Sequence, residues 1–93
     1  MLLDRFRMDG KVAVVTGAGR GIGRGCALAF AEAGAHIVCA ARTAEQVEDT
    51  AAEAERLGVE SLAVLCDVSD ADQRQNLIDR AVERFGRLDA LVN

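Results

Sequence analysis

The residues best suited to chemistry lie in one short stretch, Thr16-Gly17-Ala18-Gly19-Arg20-Gly21-Ile22-Gly23. It joins the apolar run Val12-Ala13-Val14-Val15 to a helical pattern from about Gly21 to Ala33. Glycines let a backbone turn sharply and come close to a ligand where a Cβ would collide. A helix starting directly after such a turn offers unpaired N–H groups and the positive end of its dipole to an anion. Strand, turn and helix therefore describe a site for a nucleotide phosphate. The spacing departs from the usual dinucleotide fingerprint G-x-G-x-x-G, because Ile22 stands where the third glycine would be. The spacing present is Gly17-x-x-x-Gly21-x-Gly23, preceded by Thr16.

A second informative position is the end of the next apolar run. Proteins that bind NAD place an Asp or Glu there for the ribose hydroxyls. This chain has Ala41 followed by Arg42, and Arg20 in the glycine turn adds a cation on the same side. A 2′-phosphate suits neutral and cationic surroundings, because arginine binds it with a charge-assisted fork and an acid would repel it. The residues thus favour NADP(H), with NAD(H) the other possibility.

These residues need elements to hold them, and the hydrophobic pattern supplies an alternation. The first apolar run has no polar alternation and reads as a buried parallel strand. Ala27, Leu28, Phe30 and Ala31 give the first helix a packing surface, and Gly34 stands at its C-terminus. Ala35–Ala40 is a second buried strand. Thr43 with Gln46 has the spacing of a capping box opening a second helix, whose apolar positions are Val47, Ala51, Ala54 and Leu57 before Gly58. A third strand spans Ser61–Cys66. Asp70 with Gln73 can cap a third helix, with Leu77, Ile78, Ala81, Val82 and Phe85 as its stripe and Gly86 as its end. Leu88–Asn93 begins a fourth strand. Alternating strands and helices with right-handed crossovers imply an α/β fold, a Rossmann-type doubly wound parallel sheet. The expected strand order is 3-2-1-4, with the ligand at the carboxyl edge.

Composition narrows the function classes. The chain has 93 residues, 51% apolar and 28% charged, enough for one small domain. A net charge of −4 without a basic cluster argues against nucleic acid as a partner. No apolar run reaches membrane-span length, and Asp4, Arg5 and Arg7 interrupt any signal-like start, so the chain reads as cytosolic. In the lead-in, Phe6 and Met8 are candidates to pack under the first strand, and Asp9-Gly10 is a turn signal. Cys26, Cys39 and Cys66 lack C-x-x-C spacing and read as buried reduced thiols. His36 is the one histidine and reads as structural. The charges from Glu45 to Glu55 and from Asp79 to Arg87 read as solvated helix faces, with Glu83 spaced to pair with Arg87. No metal-ligand cluster, P-loop or G-x-S-x-G elbow is present.

The motifs Thr16–Gly23, Asp67-Val68 and Leu91-Val92-Asn93 together resemble the short-chain dehydrogenase/reductase family, over essentially the whole chain from Gly10 onward. The resemblance implies that Asp67 and Val68 hold the adenine ring. It also implies that Asn93 starts the family's Asn-Asn-Ala-Gly segment, which braces the sheet and lines the cofactor site. Members of the family move a hydride between nicotinamide and a carbonyl or alcohol. They use a serine and a tyrosine whose pKa is lowered by a lysine four residues on. This sequence has no tyrosine, and its one lysine, Lys11, is placed in the first strand. The resemblance therefore implies the N-terminal part of one dinucleotide-binding domain over residues 1–93, cut in its fourth strand, with no catalytic residue in the chain. The implied parent is an oxidoreductase, acting on small molecules and forming homo-oligomers. A non-catalytic dinucleotide-binding stub is the alternative. A methyltransferase using S-adenosylmethionine is disfavoured by Arg42, which replaces the acid such enzymes use on the ribose.

Overall fold

The computed structural model describes residues 7–93. Its elements run β1 (Val12–Thr16), α1 (Gly21–Glu32), β2 (His36–Ala41), α2 (Ala44–Arg56), β3 (Ser61–Leu65), α3 (Ala71–Phe85) and β4 (Ala90–Val92). All strand pairs are parallel and the order is β3-β2-β1-β4, the doubly wound arrangement expected from the sequence. Register is set by Val14 opposite Val38 and Leu91, with Val38 opposite Leu62.

Although β1 is apolar from Val12 to Val15 and β2 from Ile37 to Ala41, their side chains alternate between two cores, as strand geometry demands. Ala13, Val15, Ile37 and Cys39 face α1 and α2, meeting Ala27, Ala31, Val47, Ala51 and Ala54. Val12, Val14, Val38 and Ala40 face the other way, joining Val64, Cys66, Leu77 and Ala81. Each fully buried Val or Ile contributes roughly 1.5–3 kcal/mol. Met8 packs against the first core as expected, while Phe6 lies outside the described residues.

Several local expectations are corrected. β2 sits one residue later than expected, β3 ends at Leu65, and β4 is only Ala90–Val92. Thr43 precedes α2 in extended conformation but makes no side-chain cap bond, so the capping box does not form. Asp70 does cap α3, accepting from the N–H groups of Asp72 (2.9 Å) and Gln73 (3.1 Å). The Gln73 side chain, however, reaches past Asp70 to accept from Asp67 N–H at 2.7 Å. Arg87 pairs with Asp89 through two 2.7 Å bonds instead of with Glu83, because the chain turns at Gly86 and leaves the helix axis. Asp89 also accepts from Val12 N–H at 2.8 Å, tying the approach to β4 to the start of β1. Leu57 and Val82, expected in apolar stripes, are 40% and 45% exposed. Cys39 and Cys66 are buried free thiols, but Cys26 is half-buried. His36 is part of the fold's framework: Nδ1 accepts from Glu60 N–H at 3.1 Å, and the ring stacks on Phe85 at 5.6 Å.

Candidate functional site

The carboxyl ends of four parallel strands gather the sequence-predicted residues at one edge of the sheet. Thr16 and the glycine turn follow β1, Arg42 follows β2, Asp67 and Val68 follow β3, and Asn93 follows β4. Thr16 Oγ1 lies 3.2 Å from Val92 O and 3.3 Å from Asn93 Oδ1, so this hydroxyl links the ends of β1 and β4.

The turn is built around Ala18, which is fully buried. Its N–H donates to Ala40 O at 3.0 Å, and its carbonyl accepts from the Thr50 hydroxyl at 2.8 Å. Gly17 and Gly21 flank this anchor at φ 63° and 59°, a backbone region that costs other L-residues roughly 1–2 kcal/mol. Gly23 serves a different purpose. A Cβ there would stand 2.0 Å from Gly17 O, so the absence of a side chain is what lets α1 pack against the turn. At Gly19 a Cβ would meet Gln46 Cβ at 2.9 Å, bringing α2 equally close on the other side.

No side chain caps α1 at Arg20, so its first-turn N–H groups are available to an anion, and Ile22 beside them is 87% exposed. Gly17, Gly19, Arg20, Ala41, Arg42, Thr43 and Gln46 line a cavity of about 230 Å³. Its lining contains no carboxylate. A second cavity, about 330 Å³, shares Gly17, Ala41 and Arg42 with the first and extends to Cys66, Asp67, Val68 and Ser69. Thr16, Gly21, Ile22, Gly23 and Asn93 line neither cavity.

The charges around these cavities are unequally engaged. Arg24, Arg56, Arg84 and Arg87 each pair with a carboxylate. Among the described residues, Arg20 and Arg42 form no ion pair or hydrogen bond through their side chains, and Arg80 on α3 shares that condition. Asp67 Oδ1 accepts from Ser69 N–H at 3.0 Å and from the Ser69 hydroxyl at 2.7 Å. Those bonds, with the charge of Arg42 nearby, hold its carboxyl below the usual carboxylate range. The carbonyl of the next residue, Val68, accepts from Arg74 Nη1 at 2.5 Å.

Sequence reasoning missed Gln46, Thr50 and Arg24 as parts of this site. Thr50 was detectable, since it falls three residues after Val47 and four before Ala54 on the buried face of α2.

The short chain dehydrogenase family model matches residues 11–93. The chain belongs to the short-chain dehydrogenase family. It is 43% identical to an uncharacterised oxidoreductase of Mycobacterium tuberculosis over 93 residues, covering 100% of this chain and 35% of that protein. It is 39% identical to the 7α-hydroxysteroid dehydrogenase of Escherichia coli over 90 residues, covering 97% of this chain and 35% of the relative. A crystal structure of hydroxysteroid dehydrogenase from Escherichia coli superposes with a TM-score of 0.93 at 39% identity, covering 97% of this chain and 37% of that one. A 7α-hydroxysteroid dehydrogenase in complex with NADH and 7-oxo glycochenodeoxycholic acid gives the same score and identity, with 97% and 35% covered. This short-chain dehydrogenase chain thus spans about a third of the length of the relatives it matches. Among its described residues no helix is long and apolar enough to cross a membrane, and no cluster of ligating side chains could hold a metal ion.

Proposed function

We propose that residues 1–93 are the N-terminal, cofactor-binding part of a single dinucleotide-binding domain in a cytosolic NADP(H)-dependent oxidoreductase. The observation that carries the cofactor choice is the cavity between Arg20 and Arg42, with Ala41 where an acid would serve NAD and no carboxylate in its lining. In this acidic chain the unpaired state of both arginines supports an anionic ligand, since a 2′-phosphate would supply the missing partner. Gly17, Gly19, Gly21 and Gly23 bring backbone close to the dinucleotide, and the exposed first turn of α1, with Ile22, meets its pyrophosphate. Asp67 accepts from the adenine amine while Val68 lies along the ring, and Thr16 with Asn93 keeps β1 and β4 together beneath the cofactor.

The nicotinamide, when bound, supplies the hydride acceptor or donor. The residues of this chain bind and orient it. Proton transfer to a carbonyl or alcohol substrate falls to the serine, tyrosine and lysine that the family uses, none of which this chain provides. The whole protein acts on a small carbonyl or alcohol and assembles as a homo-oligomer.

The test is Arg42→Asp, with dissociation constants for NADPH and NADH measured by the fluorescence of the reduced nicotinamide, since the chain has no tryptophan or tyrosine. The expected result is a shift of the NADPH/NADH preference toward NADH by tenfold or more, because the substitution removes a cation and adds a charge that repels phosphate. An unchanged ratio would refute the NADP(H) assignment. The NADH held by the solved relative favours a second reading, NAD(H), under which the unsubstituted chain binds NADH more tightly than NADPH.

A further inference from the structure

Thr50 is fully buried and is the one polar residue among the described core positions. It lies on α2, yet its contacts reach the glycine turn at Ala18 and α1 at Arg24. Its hydroxyl oxygen accepts from Arg24 Nη1 at 2.9 Å, and the same guanidinium nitrogen lies 3.0 Å from Asp49 Oδ2. The hydroxyl proton has two acceptors within reach, Ala18 O at 2.8 Å and Gln46 O at 3.2 Å. The shorter contact joins α2 to the turn, and Gln46 O is the ordinary back-bond four residues earlier on the helix.

The consequence follows from peptide geometry. A trans peptide is planar, with its C=O and N–H pointing in opposite directions. Ala18 O is drawn toward Thr50 in the core, so the N–H on the same plane, that of Gly19, is turned away from Thr50. Gly19 lines the cavity that also contains Arg20 and Arg42. Without the hydroxyl, a buried carbonyl loses its donor and the peptide is free to rotate toward another one. We propose that Thr50 is a positioning residue for the cofactor site, fixing the Ala18–Gly19 peptide plane and so the orientation of the backbone wall of the anion cavity. This rests on the dinucleotide reading above.

The experiment compares Thr50→Val, Thr50→Ser and the unsubstituted chain. Valine keeps the volume and removes the hydroxyl, while serine keeps the hydroxyl. NADPH dissociation constants are measured well below the unfolding midpoint, together with amide hydrogen exchange at Ala18, Gly19 and Arg20 in the free chain. The expected result is about tenfold weaker NADPH binding and faster exchange at Gly19 in Thr50→Val, with both restored to within about twofold in Thr50→Ser. If Thr50→Val does not fold, Arg24→Met carries the test. It leaves the hydroxyl in place but removes the donor that orients it, and about threefold weaker binding is expected. A folded Thr50→Val that binds NADPH as the unsubstituted chain does, or an Arg24→Met without effect, would overturn the role of Thr50 alone. Failure of the unsubstituted chain to bind either dinucleotide would overturn the cofactor reading and this role together.

Discussion

Gly23 and Gly25 lie two residues apart on α1, and their replacement by alanine separates helix propensity from packing. At either position a glycine-to-alanine change within a helix favours folding by about 1 kcal/mol. At Gly25 no atom beyond the adjoining stretch of its own helix lies within 4 Å of the added Cβ, so the gain is retained. At Gly23 the Cβ meets Gly17 O at 2.0 Å, Gly17 C at 2.6 Å and Ala18 N at 3.2 Å. All of these are backbone atoms of a turn already held by Ala40 and Thr50. Gly17 O would have to retreat by roughly 1.4 Å to reach ordinary contact, which overpacked sites accommodate at a cost of about 1–3 kcal/mol. Because propensity cancels between the two variants, Gly23→Ala should be less stable than Gly25→Ala by about 1–3 kcal/mol. Such a displacement also exceeds what hydrogen bonds to a phosphate tolerate, so NADPH binding should weaken at least tenfold in Gly23→Ala only. Urea unfolding at constant m-value gives the first quantity and fluorescence titration the second. Equal stability and equal affinity in the two variants would refute the claim that close approach of helix and turn requires Gly23.

Two further expectations concern titrating groups. The Asp89 carboxyl is held below its ordinary value of 3.8 by the bonds from Arg87 and then from Val12 N–H. Its contribution to stability is therefore present above that value and is lost as pH falls through the lower folded value. Asp89→Asn should flatten the acid limb of a stability–pH curve below about pH 4, and limbs of equal slope would exclude the carboxylate as a source of acid sensitivity. Burial pushes the Cys39 thiol up to about 12, so iodoacetamide at about pH 8 should label it only as fast as the chain unfolds. Rapid labelling of Cys39 in the folded chain, read by mass spectrometry, would contradict its burial.

What was legible in the sequence is what short-range physics governs. Continuous apolar runs between helical patterns gave the parallel sheet and its order, because crossovers are right-handed and ligand turns fall at strand ends. Asp70 was legible as a cap because its acceptor serves N–H groups only two and three residues away. Thr43 and Gln46 had equally good spacing but a different outcome. The Gln46 side chain lies against Gly19, a contact that no local rule encodes. Gln73 behaves likewise, giving its oxygen to Asp67 and so bracing the loop after β3. Both departures bring a glutamine at the third position of a helix to the sheet edge where the site lies.

That pattern explains why the site was only partly legible. The residues expected to meet a ligand are polar or glycine and punctuate the sequence, whereas those that hold them are ordinary members of helix faces. Thr50 takes a place that alanine or valine could fill in the stripe of α2, and Arg24 resembles any surface cation on α1. Their function emerges only when the turn folds between the two helices and presents a carbonyl to the buried hydroxyl. The same reasoning bears on Arg42. Asp67, the nearest acid in its shared cavity, has one carboxylate oxygen engaged by both donors of Ser69. Arg42 is therefore influenced by that charge without being bound to it. A cation bound to Asp67 would have to break an ion pair before meeting a phosphate, whereas the observed arrangement leaves the guanidinium ready to bind one. Replacing Ser69 by alanine would remove the hydroxyl bond and keep the N–H bond, freeing Asp67 only in part toward Arg42. Weaker NADPH binding in Ser69→Ala is the expected result, and an unchanged dissociation constant would refute this link between the two cavities.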